Sequence, residues 1–203
     1  VTKLPTFVKD TNHALRLLGA FTFPDDSTER YLFTMDIVSL YTNIPHNDGL
    51  QALQYFLQKS SFDLNITTIT RLAELVLTLN SFSFAEDHYS QTKGVAMGTK
   101  MGPSYACLFV GYVEQQALQH YQGRAPSFYR RFIDDCLGVA TGPETDLLDF
   151  INHMSTFHPA LRFTHTLSPL SVTFLDLKIS IQPGSHGLST TVFYKETDSH
   201  SYL

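Results

Sequence analysis

Three aspartates are the residues of this 203-residue chain whose types and spacing could support chemistry. Asp36 lies inside an apolar, β-branched run, whereas Asp134 and Asp135 are adjacent between two apolar segments. The second pattern predicts a β-hairpin with its acids at the bend. A buried charge is costly unless it is paired or binds a metal. Three carboxylates that meet at strand ends would therefore form a site for a divalent cation.

The donor atoms indicate which metal such a site would take. Two like charges ~4 Å apart repel by about 4 kcal/mol at an effective dielectric constant of 20, so clustered acids raise each other's pKa unless a cation neutralises them. Oxygen donors without cysteine or a nearby histidine favour Mg²⁺ or Mn²⁺ over zinc. Two such ions ~3.5–4 Å apart clamp the attacking and leaving oxygens of phosphoryl transfer. We therefore expect two Mg²⁺ (or Mn²⁺) ions and this class of reaction.

Simpler interpretations of the same residues stay open. An aspartate inside a strand is most often at a sheet edge or in a salt bridge, and aspartate is a common turn residue. A solvated hairpin turn would thus explain Asp134 and Asp135 without any chemistry. Against this, tight hairpin turns favour glycine or asparagine at positive φ, and no glycine adjoins the pair. Each signal is weak alone, and the combination supports the hypothesis.

Composition limits the classes of function. The formal net charge of −5 argues against a protein whose whole surface binds nucleic acid, but it does not exclude binding in a single cleft. No apolar run approaches the ~20 residues that a membrane span needs, so we expect no membrane contact. Cys107 and Cys136 form no disulfide or metal pattern, and we expect two reduced thiols inside a cell.

Hydrophobic periodicity predicts the elements that would position these acids. Asp10-Thr11 is typical of the cap of a first helix, which is predicted to end near Gly19. The other predicted helices are Pro45–Lys59, Thr67–Asn80, Pro103–Tyr121 and Glu144–His158. The predicted strands are Tyr31–Val38, Phe82–Phe84, His88–Thr92, Phe128–Ile133, Cys136–Ala140, Arg162–Leu167, Thr173–Ile181 and Ser189–Lys195, and a loop covers Ala20–Glu29. This order favours an α+β fold, an antiparallel sheet with helices packed on one face, in a single domain over residues 1–203.

Four segments resemble the motifs of reverse transcriptases, in the order of that family. Asp36 with Tyr41 five residues later resembles motif A, and Met97–Pro103 has the length of motif B. Phe132–Asp135 resembles motif C, and Val172–Leu177 resembles the primer-grip segment. The wording DIVSLYTNIP, GVAMGTKMGP and FLDLKI is similar to Penelope-like retroelements, a branch related to telomerase. The resemblance implies the palm of a right-hand polymerase.

The resemblance also implies an activity and its residues: RNA-directed DNA polymerase, which adds deoxynucleotides to a primer 3′-OH. Asp36 and Asp134 would be catalytic and hold both metals with the backbone carbonyl of Ile37, and Asp135 would support the site. The other implied site residues are Tyr41, Met97 and Gly98 at the nucleotide, and Lys100, Phe132, Phe174 and Leu175 at the primer or template. Three residues depart from the family: Met97 replaces glutamine, Gly102 replaces serine and Phe132 replaces tyrosine.

By the same resemblance we expect an RNA template, a DNA primer and deoxynucleotides as partners, and a nuclear location within the cell. The family's fingers, with their triphosphate-binding cations, precede a segment that resembles Leu4–Asp10, and its thumb follows the palm. We therefore expect a palm-centred fragment, with an endonuclease domain as one further neighbour. Two rival hypotheses remain. One is a catalytically inactive module, domesticated or truncated, that binds RNA or protein. The other is an Asp-rich turn protein without an active site, in which the three acids lie far apart.

Overall fold

The computed structural model describes residues 1, 3–24, 29–61, 65–182, 184 and 186–194. Within these ranges the helices and strands form an α+β fold. In chain order they are α1 (Thr11–Gly19), β1 (Arg30–Ile37), α2 (Leu40–Asn43), α3 (His46–Gln58), α4 (Ile66–Thr78), β2 (Ser81–Phe84), β3 (Asp87–Ser90), α5 (Gly102–His120), β4 (Phe128–Phe132), β5 (Asp135–Thr141), α6 (Glu144–Thr156), β6 (Phe163–Ser168), β7 (Ser171–Phe174), β8 (Leu177–Ile181) and β9 (Leu188–Val192).

The chain forms two compact units. The first unit contains residue 1, residues 37–121 and residues 153–162. The second contains the described residues of 2–36, 122–152 and 163–194. None of the helices in the described ranges is long and apolar enough to cross a membrane.

A four-stranded sheet in the order β4-β5-β1-β6 lies at the centre of the second unit. Strand β5 is antiparallel to both of its neighbours, β4 and β1. On one face Phe150 of α6 makes edge-to-face contacts with Phe33, at 6.1 Å between ring centroids, and with Tyr129, at 5.7 Å. Gly138 is the register partner of both aromatic residues. A Cβ there would lie 2.1 Å from Cζ of Phe33, so the close approach of the ring requires glycine.

The other face of this sheet is covered by α1 and by a second sheet, β7-β8-β9. Asp10 caps α1, since its Oδ1 accepts a hydrogen bond from the amide of His13 at 2.7 Å. The core residues on this side are Val8, Ala14, Leu18, Phe23, Leu32, Phe128, Leu137, Val139, Val172, Phe174, Leu177 and Ile179. Each fully buried aliphatic or aromatic side chain stabilises the fold by about 1.5–3 kcal/mol.

The first unit contains helices α2 to α5 and the β2–β3 hairpin. The hydroxyl of Tyr105 in α5 donates to the carbonyl of His46 at the start of α3, at 3.2 Å. A Cβ on Gly49 would lie 2.1 Å from that hydroxyl, so α3 and α5 pack closely at this glycine. Nε2 of His158 lies 3.4 Å from Oδ2 of Asp48 and adds a contact to α3. In contrast, every residue of β2 and β3 is exposed.

The predicted fold class, an α+β fold with an antiparallel sheet, is confirmed, and most element bounds agree within two residues. The single strand predicted over Thr173–Ile181 is wrong, because the chain turns at Leu175 and Asp176 and makes two strands. Leu175 adopts φ +53°, a conformation that is uncommon for leucine and that its residue type does not predict. Helix α2 was not predicted. Parts of two predicted elements, residues 25–28 of the loop and Lys195, lie outside the described residues.

Candidate active site

The three aspartates lie at one end of the four-stranded sheet. Asp36 is the penultimate residue of β1 and Asp135 is the first residue of β5, and the two are register partners. Directly opposed residues point to the same face of a sheet, with Cβ atoms about 4.5–5.5 Å apart. Asp134 precedes Asp135 in the two-residue turn between β4 and β5. This arrangement is the opposite of the one expected for an Asp-rich turn protein, in which the acids lie far apart.

The carboxylates of Asp36 and Asp134 interact electrostatically. Partial desolvation of the Asp36 carboxyl, and next the negative charge of Asp134, raise the pKa of Asp36 above its ordinary value. Asp36 therefore senses the charge of Asp134 although the two residues are not register partners. The side chain of Asp36 is exposed, so water screens part of this repulsion. A cation placed here would relieve it.

The turn that carries Asp134 is strained and is held from inside the unit. Ile133 adopts φ +54°, which is unusual for a β-branched residue. Such a conformation costs about 1–3 kcal/mol and persists only where the surroundings impose it. The guanidinium of Arg131 donates to the carbonyl of Ile133 at 2.7 Å, and the thiol of Cys136 lies 3.9 Å from the carbonyl of Asp134. Both side chains are fully buried.

The carboxylate oxygens of the site fit a hard divalent cation whose other ligands are water and substrate phosphates. Among the described residues, no group of three or more His, Cys, Asp or Glu side chains is arranged to hold a metal. Mg²⁺ commonly uses only one or two protein carboxylates and completes its shell with water and substrate phosphates. Asp36 with Asp134 or Asp135 would supply that minimum. Ile37, predicted to lend its carbonyl, is the buried last residue of β1.

A cavity of about 580 Å³ in the second unit adjoins the acids. Asp36 and Asp135 line it together with three residues predicted at the primer or template, Phe132, Phe174 and Leu175. Phe132 is the register partner of Asp135 on β4. The structure thus brings two of the acids and these three residues to one cavity.

The same cavity contains functional candidates that sequence reasoning did not assign. Lys9 supplies a positive charge to the lining, and the hydroxyl of Thr11 donates to Oδ2 of Asp176 at 3.3 Å. Lys9 stands directly before the capping residue of α1, so the only signal in the sequence was its place in the segment Leu4–Asp10.

The remaining predicted residues form a second group, in the first unit. Tyr41 is in α2, and its carbonyl accepts a hydrogen bond from the amide of Val95 at 2.7 Å. Gly94 has φ +79°, and a Cβ there would lie 2.5 Å from the same carbonyl, so the loop can approach α2 only at a glycine. A Cβ on Gly102 would lie 3.8 Å from Cε1 of Tyr41, which places the ring against the start of α5.

The tip of this loop is open. Met97 is 78% exposed, and Gly98 has φ +93° with nothing within 4 Å of a Cβ built on it. Lys100 is also exposed. These three residues are available to a ligand, and Gly98 has a backbone conformation that other residues rarely adopt.

Comparison with known proteins identifies the family. Residues 5–167 match the sequence pattern described as reverse transcriptase (RNA-dependent DNA polymerase). The chain belongs to this reverse transcriptase family. The matched range includes Asp36, Asp134 and Asp135, whereas Phe174 and the segment that resembles the primer grip lie beyond it. No curated protein sequence is significantly similar to the chain.

Solved structures show the same fold at low sequence identity. Telomerase from Candida tropicalis, in complex with a TWJ fragment of telomeric RNA, matches with a TM-score of 0.71 and 12% identity over 98% of this chain and 35% of that chain. The corresponding Candida albicans complex gives 0.70 and 12% over 95% and 36%. The BmCPV RNA-dependent RNA polymerase in its elongation state gives 0.58 and 14% over 75% and 16%. The chain spans about two fifths or less of the telomerase chains it matches.

Proposed function

We propose that this chain is the catalytic palm of an RNA-directed DNA polymerase from a Penelope-like retroelement, which adds deoxynucleotides to a primer 3′-OH with two divalent cations. The observation that carries the proposal is the register pair Asp36–Asp135 with Asp134 in the adjoining turn. The pair lines a cavity of about 580 Å³, large enough for part of a nucleic-acid strand. The family match and the polymerase fold support the reaction class.

In this proposal each group has one task. Asp36 and Asp134 hold the cations, with Asp135 in support and the Ile37 carbonyl as a further oxygen. The bound metal supplies charge stabilisation at the reacting phosphate. Phe132, Phe174 and Leu175 form the apolar part of the cavity wall against which the primer end rests. Lys9 is available to a phosphate of the primer strand.

The Penelope-like origin and the nuclear location rest on the wording of the motifs. DIVSLYTNIP, GVAMGTKMGP and FLDLKI resemble that branch of retroelements, and its relation to telomerase agrees with the fold shared with the two Candida telomerases. An RNA template and a DNA primer are the partners that this assignment requires.

The deciding experiment is a Mn²⁺ titration followed by electron paramagnetic resonance, on the chain and on Asp36→Asn and Asp134→Asn. We expect the unsubstituted chain to bind Mn²⁺ and both variants to bind at least about tenfold more weakly, a loss of about 1.4 kcal/mol. Native circular dichroism of the variants is the control. Equal Mn²⁺ affinity in all three proteins would contradict the assignment. The reaction itself is then tested by extension of a DNA primer on an RNA template, which we expect to be lost in Asp134→Asn.

A second experiment concerns the nucleotide group. In the polymerase that contains this chain, Tyr41→Ala should admit ribonucleotides, since the ring is proposed to occupy the space that a 2′-OH needs. Tyr41→Phe is the matched control, because it keeps the ring and removes only the hydroxyl. Unchanged discrimination between ribo- and deoxynucleotides in Tyr41→Ala would make Tyr41 a packing residue beside Gly102.

The rival candidate is the catalytically inactive module that binds RNA or protein. The Mn²⁺ titration separates the two candidates, because a module that only binds RNA or protein has no need of a cation at Asp36 and Asp134.

A further inference from the structure

Arg131 is the largest fully buried side chain among the described residues, with 0% of its surface exposed. An arginine stays protonated in a protein, and a buried charge is costly unless hydrogen bonds satisfy it. Its guanidinium donates to the carbonyl of Ile133 at 2.7 Å. A charge-assisted bond of this length is stronger and more directional than a neutral one. The bond therefore fixes the direction of the Ile133 carbonyl.

That carbonyl belongs to the peptide group that joins Ile133 to Asp134. A peptide group is planar, so the direction of its oxygen also sets the position of the following Cα. Holding the Ile133 carbonyl therefore holds Asp134, the acid of the pair that the family resemblance places on the metal. The thiol of Cys136, which lies 3.9 Å from the Asp134 carbonyl, restrains the next peptide more weakly.

The base from which Arg131 reaches is itself fixed. Its amide donates to the carbonyl of Thr6 at 2.7 Å, and its carbonyl accepts from the amide of Val8 at 2.7 Å. On the other side of the strand its register partner is Cys136. The N–H and C=O groups of Arg131 are thus both bonded to residues 6–8, and its strand lies between these residues and β5, so the side chain reaches the turn from a fixed backbone.

We propose that Arg131 is a positioning residue, which sets the orientation of Asp134 through the Ile133–Asp134 peptide. The inference rests on the proposed function, because it takes Asp134 to be a metal ligand. The neighbouring Arg130 offers a matched comparison. It is on the same strand but points to the opposite face, where its Nη1 donates to the carbonyl of Tyr129 and its guanidinium lies 4.9 Å from the centre of the Phe128 ring.

The test compares the Mn²⁺ affinities of Arg131→Met and Arg130→Met with that of the unsubstituted chain, at a temperature at which circular dichroism shows all three folded. Loss of a residue that orients a metal ligand weakens binding by about 10–100-fold. We expect this loss in Arg131→Met and none in Arg130→Met. A merely structural role would lower the melting temperature of Arg131→Met and leave the Mn²⁺ affinity of the folded protein unchanged, which would overturn the proposal.

Arg131→Lys covers the case in which Arg131→Met does not fold. Lysine keeps the charge but lacks the planar fork of the guanidinium, so we expect the lysine variant to bind Mn²⁺ more weakly than the unsubstituted chain. If only the lysine variant folds, an affinity equal to that of the unsubstituted chain overturns the proposal.

Amide hydrogen exchange separates failure of this proposal from failure of the proposed function. If the unsubstituted chain binds no Mn²⁺, the metal assignment fails, and exchange at Asp134 and Asp135 decides the role of Arg131. Faster exchange at these two amides in the Arg131 variants, but not in Arg130→Met, would support the positioning role. Equal exchange rates in all the proteins would contradict it.

Discussion

The β2–β3 and β4–β5 hairpins have the same two-residue turn. In both, a phenylalanine ends the first strand, an aliphatic residue follows at φ +54°, and an acid completes the turn: Phe84-Ala85-Glu86 and Phe132-Ile133-Asp134. A third copy joins β7 to β8, with Leu175 at φ +53°. The turn alone therefore does not make a site.

The surroundings distinguish the two hairpins. Every residue of β2 and β3 is exposed, and the main side-chain contact is a stacked pair, Phe82 and Tyr89, at 5.5 Å between centroids. In β4–β5 the strand β5 pairs on both sides and is buried over most of its length. An isolated hairpin is marginally stable in water, whereas a central strand is fixed by its neighbours. The two hairpins therefore differ in how firmly the same strained turn is held. Only β4–β5 is anchored in a larger sheet, and this fixes the position of its acid.

The largest expected difference concerns stability. Leu137→Ala removes a side chain of β5 that is 1% exposed, and we expect the free energy of unfolding to fall by about 2–5 kcal/mol. Phe82→Ala in the exposed hairpin should cost less than about 1.5 kcal/mol, mainly the stacking with Tyr89. Thermal denaturation of both variants measures the contrast. Equal losses would mean that β2–β3 is anchored as firmly as β5.

The second contrast replaces the acid of each turn with the corresponding amide. Asp134→Asn should weaken Mn²⁺ binding by at least about tenfold, or about 1.4 kcal/mol. Glu86→Gln, at the same turn position in β2–β3, should leave Mn²⁺ affinity unchanged. Isothermal titration calorimetry provides the comparison. A similar loss in both variants would show that the probe detects general surface charge rather than a site.

The third contrast removes the strain from each turn. Ala85→Gly should stabilise the chain by up to about 1 kcal/mol, because glycine adopts positive φ readily. In Ile133→Gly the same gain is offset by loss of a half-buried side chain, and the freed turn should bind Mn²⁺ more weakly. Melting temperatures and Mn²⁺ titrations on the two variants test this. Unchanged affinity in Ile133→Gly would mean that the conformation of the turn plays no part in the site.

The smallest effect is a pH dependence at Asp36. Its pKa is raised in the folded chain, so its contribution to stability is complete below the unfolded-state pKa of about 3.9 and is lost as pH rises through the folded-state pKa. Without metal at pH 7, Asp36→Asn should therefore melt about 1–3 °C higher than the unsubstituted chain, a small shift because water screens this exposed carboxylate. Near pH 3 the difference should vanish.

Saturating Mn²⁺ is the matched control for that measurement. A ligand that binds only the folded state raises the melting temperature by mass action. With Mn²⁺ the unsubstituted chain should melt higher than Asp36→Asn, so the order reverses. If the two proteins melt in the same order with and without Mn²⁺, the raised pKa of Asp36 would not indicate a metal site.

Periodicity and capping signals predicted most of the elements. Asp10 and Pro103 mark the starts of α1 and α5 as their residue types suggest, and the apolar runs of β1 and β5 predicted both strands within two residues. Helix α2 escaped prediction because its four residues are too short to show a period. The β7–β8 turn escaped because nothing in a leucine signals positive φ.

The candidate site was predicted in part for the same physical reasons. The acids were expected at the bend of a hairpin, but Asp135 already belongs to β5, and this is what makes it the register partner of Asp36. The buried Arg131 was not assigned a role. Its signal was available, since side chains alternate along a strand and two adjacent arginines must point to opposite faces. The hydrogen bond to Ile133 could not be foreseen, because it depends on a turn conformation that the sequence does not encode locally.

The separation of the paired strands along the chain has a consequence for assembly. β4 and β5 are joined by two residues, whereas β1 and β5 are about 100 residues apart. Closing a long loop costs more entropy than closing a short one, and non-local strand pairs form late in folding. Asp134 and Asp135 are therefore brought to their turn early, and Asp36 joins them only when the long loop closes. A nascent or partly folded chain therefore has two of the three acids in place, and under the proposed metal assignment its capacity to bind a divalent cation follows the completion of folding.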